Sequence, residues 1–392
     1  MALDLGRLRT DTPATARLAY FYNCGAGLMP TPVLDAVKAH LDLEAEIGGY
    51  EAEEKAEPAI HNAYDALARL LNCATDEIAI VENATVAWCQ AFYGLAQDMQ
   101  PGDRVLTVVA EYASNYIALL QTAKRRGIRV DIVPNTADGE ADVGKLEAMI
   151  DGDVKLIAVT HVPTSGGLVN PAAEIGRIAR RHGIPYLLDA CQSAGQMPLD
   201  VEALGCDFLS ATGRKFLRAP RGTGFLYVRR AMLETCEPPV LDLHSAMWTG
   251  PGTYEMRDDA RRYENWENYV AGKIGLGVAV DYALAIGLDI IRRRIQELCE
   301  PLRERLADLP GVTVHDAGRT RCAIVTFSHD RLTPIEIQQR LASQAIAIGT
   351  SSASSTLLDF EARHLPPLAR AAPHYYTSTD EIDRLVEAVA AL

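Results

Sequence analysis

Ile184-Pro-Tyr-Leu-Leu-Asp189-Ala-Cys-Gln192-Ser-Ala-Gly195, followed downstream by Phe208-Leu-Ser-Ala-Thr212-Gly-Arg214-Lys215-Phe216, is the stretch on which the reading of this chain turns. Tyr186-Leu187-Leu188 is an apolar run of strand character that ends on a carboxylate. Asp189 is therefore predicted at the carboxyl end of a buried strand, where open α/β sheets bind their ligands. A carboxylate in that position needs a cationic partner. Phe208-Leu209-Ser210 is a second short apolar run, and beyond it Thr212, Gly213 and Arg214 offer a hydroxyl, a flexible backbone and a guanidinium to an anion. Lys215 follows with a primary amine.

Working outward, short apolar runs alternate with helical patterns from about residue 77: Ile78 to Val81, Val105 to Val109, Val130 to Val133, Leu156 to Thr160, Ile184 to Leu188, Phe208 to Leu209 and Phe225 to Val228. Such alternation predicts an α/β fold with a mainly parallel sheet covered by helices on both faces. After Trp266 the pattern becomes one long helical stretch, Val270 to Leu306, with Leu276, Val280, Leu284 and Leu288 in register and a break expected near Pro301. A smaller α/β domain is predicted next, with strands Val312 to Val314, Ala323 to Phe327 and Ala345 to Ile348. Its closing helix, Thr379 to Leu392, starts on an S-x-x-E cap, Ser378 to Glu381. The expected division is a large domain over 18–265 and a linking helix with a small domain over 266–392, joined by residues 1–17.

Composition excludes several classes. The chain is 392 residues long, 48% hydrophobic and 23% charged, which is globular and neither disordered nor collagen-like. A net charge of -14 speaks against a nucleic-acid partner. The basic runs Lys124-Arg125-Arg126 and Arg292-Arg293-Arg294 are short, and Ile290, Ile291, Ile295 and Leu298 make the second the solvated face of an amphipathic helix. Eight scattered cysteines form no C-x-x-C pair, and no histidines stand at zinc spacing, so neither a metal nor a disulfide framework is expected. No apolar run has the length of a signal peptide or membrane span, and the expectation is a reduced, cytoplasmic protein without a membrane partner.

Three further motifs carry chemistry. Asn83-Ala84-Thr85 stands between a strand and a helix, where free N–H groups and the helix dipole suit a phosphate. Glu111-Tyr112-Ala113-Ser114-Asn115 follows another strand and offers an aromatic ring for stacking. Arg370, in the segment Leu368 to Thr377, has a planar guanidinium suited to a carboxylate, and what singles it out is a family resemblance. With Asp189, Thr212, Arg214 and Lys215 this set suits pyridoxal 5'-phosphate, which has an aldehyde for a lysine, a ring nitrogen that needs an acid partner and a phosphate that needs donors.

Over nearly its whole length the sequence resembles the fold type I pyridoxal phosphate enzymes of the class V aminotransferase group, which includes cysteine desulfurases, isopenicillin N epimerases and the C–S lyases of ergothioneine synthesis. The resemblance implies a homodimer and an amino-acid substrate. It implies that Lys215 bonds the cofactor aldehyde, Asp189 pairs with the ring nitrogen and Gln192 meets the ring oxygen. Tyr112 would stack on the ring, where desulfurases carry His. Ala84, Thr85, Thr212 and Arg214 would hold the phosphate, Arg370 the substrate carboxylate, and Asn23 would approach the substrate from the N-terminal loop.

The departures matter as much. Desulfurases place a nucleophilic cysteine on a loop ahead of the carboxylate-binding arginine, and here residues 347–356, Ala-Ile-Gly-Thr-Ser-Ser-Ala-Ser-Ser-Thr, contain none. Cys24 and Cys191 are candidates to lie near the cofactor, with buried structural cysteines the favoured reading. Trp266 stands where many relatives have a Gly-Thr pair reaching a neighbouring subunit, and Thr164 where desulfurases have Asn. The expected reaction is β-elimination from an S-substituted cysteine or its sulfoxide, with Lys215 as general base and pyruvate, ammonia and a thiol-type fragment as products. Epimerisation or transamination would share the same carbanion; neither Tyr112 nor His161 is assigned as the second acid that an epimerase needs.

Overall fold

The computed structural model describes residues 3–392. Its centre is a seven-stranded sheet in the order Ile78–Val81, Gly224–Val228, Phe208–Thr212, Tyr186–Asp189, Val154–Thr160, Arg104–Val108, Arg129–Val133. Gly224–Val228 runs antiparallel to both its neighbours, and all other pairings are parallel. Each strand predicted from the apolar runs is present, with ends shifted by a few residues at most. The inner strands are apolar at consecutive positions because helices cover both faces: Tyr186 and Leu188 enter one core while Leu187 enters the other.

Strand order reverses between Arg104–Val108 and Val154–Thr160, because the chain leaves the first toward one edge of the sheet and the second toward the other. That reversal opens a crevice at the carboxyl ends of the strands. Asp189 ends the strand next to it.

A second, four-stranded antiparallel sheet has the order Val312–Val314, Val325–His329, Leu368–Ala371, Gly349–Ser351. The predicted strand over residues 345–348 is divided: Ile346–Ala347 pairs in parallel with Ala19–Tyr20, and Gly349–Ser351 joins the small sheet. The closing helix, Thr379–Ala390, begins on the predicted capping box, with Ser378 and Glu381 bonded reciprocally.

The long helical stretch breaks at Gly287 and not at Pro301. Val270–Ile286 and Leu288–Ala307 meet at 75°, and Gly287 has φ +95°, a conformation open to glycine and costly for other residues. Pro301 is accommodated inside the second helix. Among the described residues no single helix is long and apolar enough to cross a membrane. All eight cysteines are free.

Candidate active site

A cavity of about 480 Å³ lies over the strand ends and is lined by Asn83, Ala84, Thr85, Val86, Tyr112, Asn115, Thr160, Val162, Thr164, Asp189, Cys191, Gln192, Thr212, Arg214 and Lys215. Eight of the ten residues singled out from the sequence are in that wall. The exceptions are Arg370 and Asn23.

Asn83 caps the helix Ala84–Leu95 by accepting a hydrogen bond from Val86 N at 3.0 Å. The Ala84 and Thr85 N–H groups have no acceptor among the described residues and face the cavity. Thr212 donates to Thr223 O at 3.2 Å, and Arg214 donates to Gly25 O with one nitrogen, leaving the rest of its fork available to an anion. One side of the cavity thus gathers free backbone donors, a helix N-terminus and a guanidinium.

Opposite them, Asp189 Oδ1 accepts from Cys191 N at 2.8 Å and Oδ2 from Asn115 Nδ2 at 2.8 Å. Burial pushes this carboxyl up from its usual range, while Asn115, the Cys191 N–H and the Lys215 charge pull against that. Lys215 is 8% exposed and opens into the cavity. Cys191 also opens into it, against its reading as a buried structural cysteine; burial raises its thiol pKa and Lys215 opposes the rise. Cys24, by contrast, is fully enclosed.

Gln192 donates to Cys24 O at 3.1 Å and to Thr164 Oγ1 at 3.4 Å, while its buried Oε1 has no partner among the described residues. Thr164 Oγ1 also accepts from Arg370 Nη1 at 2.6 Å, which leaves the threonine's own proton for a ligand. Arg370 gives a second bond to Thr164 O at 2.6 Å, and its buried Nε has no partner among the described residues. The guanidinium lies 5.7 Å from the Tyr22 ring centroid. That ring sits in a notch between Gly25 and Gly349, where an added Cβ would come within 2.6 Å and 2.2 Å of it.

Asn23 does not reach the cavity surface. It is fully buried, donating to Ala372 O at 2.7 Å and accepting from Tyr376 OH at 2.6 Å, so its amide braces the frame beneath Arg370. His161 is likewise withdrawn: its Nδ1 meets Ser193 Oγ at 3.1 Å, and burial, aided by Arg292, lowers its pKa to about 4. Residues 352–355 turn against the Tyr112 wall, where Ser355 O accepts from Ala113 N at 2.9 Å. Trp266 is half-exposed and outside the cavity.

Sequence reasoning missed Asn115, Val86 and Val162 in the wall. Asn115 stands four residues after Glu111, at the start of a helix where such pairs share a face, and that spacing was the available signal.

The residues fit pyridoxal phosphate. A buried carboxylate, a lysine, free donors at a helix start and the orphaned Gln192 Oε1 converge on one cavity, and Arg370 is bonded to the wall residue Thr164.

Comparison with known proteins agrees with this geometry. The family model described as "Aminotransferase class-V" matches residues 19–385. A probable cysteine desulfurase of Halalkalibacterium halodurans is 33% identical over 344 residues, covering 86% of this chain and 81% of that protein. Among solved structures, the apo cysteine desulfurase of Thermococcus onnurineus NA1 superposes with a TM-score of 0.92 at 25% identity, covering 100% of this chain and 98% of that one. C-DES, a cystine C–S lyase solved with its reaction product cysteine persulfide, gives 0.86 at 27% identity, covering 97% and 99%. A mutant of C-DES carries glycine covalently linked to its PLP cofactor; it gives 0.87 at 26% identity, covering 97% and 98%.

Proposed function

The chain belongs to the class-V aminotransferase family, and from that premise we propose that it is a pyridoxal phosphate-dependent C–S β-lyase acting on an S-substituted cysteine or its sulfoxide. One observation carries the choice of reaction. The turn at 352–355, packed beside Tyr112, presents serines and an alanine where sulfur transfer would need a thiol nucleophile. β-Elimination needs none.

When bound, the cofactor supplies an electron sink in conjugation with the substrate α-carbon. Ala84, Thr85, Thr212 and Arg214 would hold its phosphate, Asp189 its ring nitrogen, Gln192 its ring oxygen, Tyr112 its face, and Lys215 its aldehyde carbon. Arg370 takes the substrate carboxylate with the fork that Thr164 leaves free. Lys215 Nζ would also be the base that takes the substrate α-proton. With water, the substrate is converted to pyruvate, ammonia and the thiol or sulfenic fragment, which carries away the sulfur and its substituent. The withdrawal of His161 into a bond with Ser193 removes it as the second acid of an epimerase.

We also infer a homodimer in a reduced, cytoplasmic setting. The hairpin Ala246–Gly250/Thr253–Met256 supports the dimer, since Met247 and Trp248 stand 69% and 80% exposed on it. Eight free cysteines support the reduced compartment.

The test is product analysis by mass spectrometry after the cofactor-loaded protein meets a panel of S-substituted cysteines, cysteine sulfoxides and free cysteine. Pyruvate with a released sulfur fragment is expected, and Lys215→Ala should produce neither. Alanine formed from cysteine, an inverted amino acid or a keto acid that keeps its side chain would each overturn the lyase assignment.

A further inference from the structure

We infer that Glu111, acting through Asn115, is a positioning residue for Asp189: a second buried carboxylate that orients the first and adds its charge to the field at the ring nitrogen. The inference rests on the pyridoxal phosphate reading above and adds to it a residue whose side chain no role there requires.

Glu111 is 4% exposed and follows the strand Arg104–Val108, at the point where strand order reverses. Its Oε1 accepts from Tyr112 N at 2.9 Å, Asn115 Nδ2 at 2.9 Å and the Thr160 hydroxyl. Its Oε2 accepts from Thr107 Oγ1 and from Thr160 N, each at 3.1 Å. Every contact is a donor, an arrangement made for the ionised form. Yet among the described residues no lysine, arginine or histidine pairs with it. The titratable neighbours that face it are Asp189 and Tyr186, and those that face Asp189 are Lys215 and Cys191.

Asn115 joins the two carboxylates. Its single amide nitrogen has two hydrogens and spends one on Glu111 and the other on Asp189 Oδ2 at 2.8 Å. The Cys191 N–H holds Asp189 Oδ1 from the other side, so the carboxylate plane is fixed by partners that are themselves fixed. Two carboxylates linked by a neutral amide repel each other, and burial, with Asp189 adding to it, raises the Glu111 pKa to about 7 despite its donors. A bound ligand with a protonated ring nitrogen would supply the missing cation. Ligand binding and ionisation of Glu111 are therefore coupled.

The experiment is a pH titration of the visible absorption of the pyridoxal phosphate-loaded protein, with cofactor affinity measured alongside, for wild type, Glu111→Gln and Asn115→Ser. Removing a negative charge behind Asp189 lowers the proton affinity of a cation in front of it, so the spectral midpoint should fall by about one pH unit in Glu111→Gln. Asn115→Ser cuts the bridge while keeping the charge; it should move the midpoint in the same direction by less, and it keeps the test open if Glu111→Gln folds poorly. Glu111→Asp should restore part of the shift. A merely structural Glu111 would lower the melting temperature and leave the midpoint in place, and wild-type midpoints in folded variants overturn the inference. A wild-type protein that takes up no pyridoxal phosphate removes the cofactor reading, and this inference with it.

Discussion

Replacing Arg370 by Lys keeps the charge and removes the fork, which isolates what the guanidinium geometry contributes. In the structure Nη1 is committed to Thr164 O and Thr164 Oγ1, both at 2.6 Å, while the buried Nε has no partner among the described residues. A substrate carboxylate that completes this group gains charge-assisted hydrogen bonds, each worth about 1.5–3 kcal/mol. A lysine ammonium recovers part of that as a point charge but cannot serve Thr164 and a carboxylate together. A net loss of about 2 kcal/mol corresponds to roughly 30-fold in kcat/KM, carried mainly by KM because the contact exists before and during the reaction. The assay is steady-state release of the sulfur fragment from an S-substituted L-cysteine and from the matching amine that lacks the carboxylate. Wild type should favour the amino acid strongly, and R370K should narrow that preference by the same factor. Equal losses on both substrates, or a KM within about threefold of wild type, would falsify the assignment of Arg370 to the carboxylate.

Three further outcomes are expected. Gly349→Ala puts a Cβ within 2.2 Å of the Tyr22 ring and should cost about 1–3 kcal/mol in denaturant unfolding while raising KM, because the displaced ring lies beside Arg370; an unchanged KM in a destabilised variant would detach Tyr22 from the site. Asn83→Ala removes the cap on Val86 N, which should cost about 1 kcal/mol of stability and weaken cofactor uptake by the apo protein, and equal cofactor affinity would show that this helix start does not hold the phosphate. Burial alone would push Glu264 up, but Lys273, His244, the Ile80 N–H and Tyr64 outweigh it and hold the carboxyl below its usual range. Its ionised form therefore stabilises the fold above the unfolded-state pKa of about 4.3, and that stability is lost as pH falls through the depressed folded value. Glu264→Gln should cost about 3 kcal/mol at neutral pH, since it strands the buried Lys273, and should flatten the acid limb of the stability profile; parallel acid limbs would rule this out.

The sheet was legible in the sequence because its strands are buried on both faces and read as unbroken apolar runs. Ile78–Val81 is found to the residue. Leu368–Ala371 was not read as a strand because Arg370 interrupts its apolar character; what marked Arg370 as a ligand grip was the resemblance of its segment to the family's carboxylate-binding segment. The break at Gly287 was hidden because Leu276, Val280, Leu284 and Leu288 keep helical spacing across it, and spacing carries no information on φ. Within the site, Asp189, Gln192, Thr212 and Lys215 were legible because two adjacent strand ends carry them in one short stretch. The bridge from Asn115 to Asp189 spans 74 positions and that from Arg370 to Thr164 spans 206. Pairings of that kind are set by sheet order, which a local pattern cannot rank.

The bracing of Asn23 by Ala372 and Tyr376 also fixes a timetable. These partners lie 349 and 353 positions further along the chain, and Ala19–Tyr20 waits similarly for Ile346–Ala347. At about 5–20 residues per second on the ribosome, the segment around Asn23 leaves the exit tunnel and stays without its partners for roughly 20–70 s. In the later part of that interval, once Gly224–Val228 has emerged, the central sheet can form, while the floor beneath Arg370 cannot. A nascent chain is thus able to assemble the phosphate side of its pocket well before it can select a substrate, and a chaperone that shields residues 19–24 would have its greatest effect in that window.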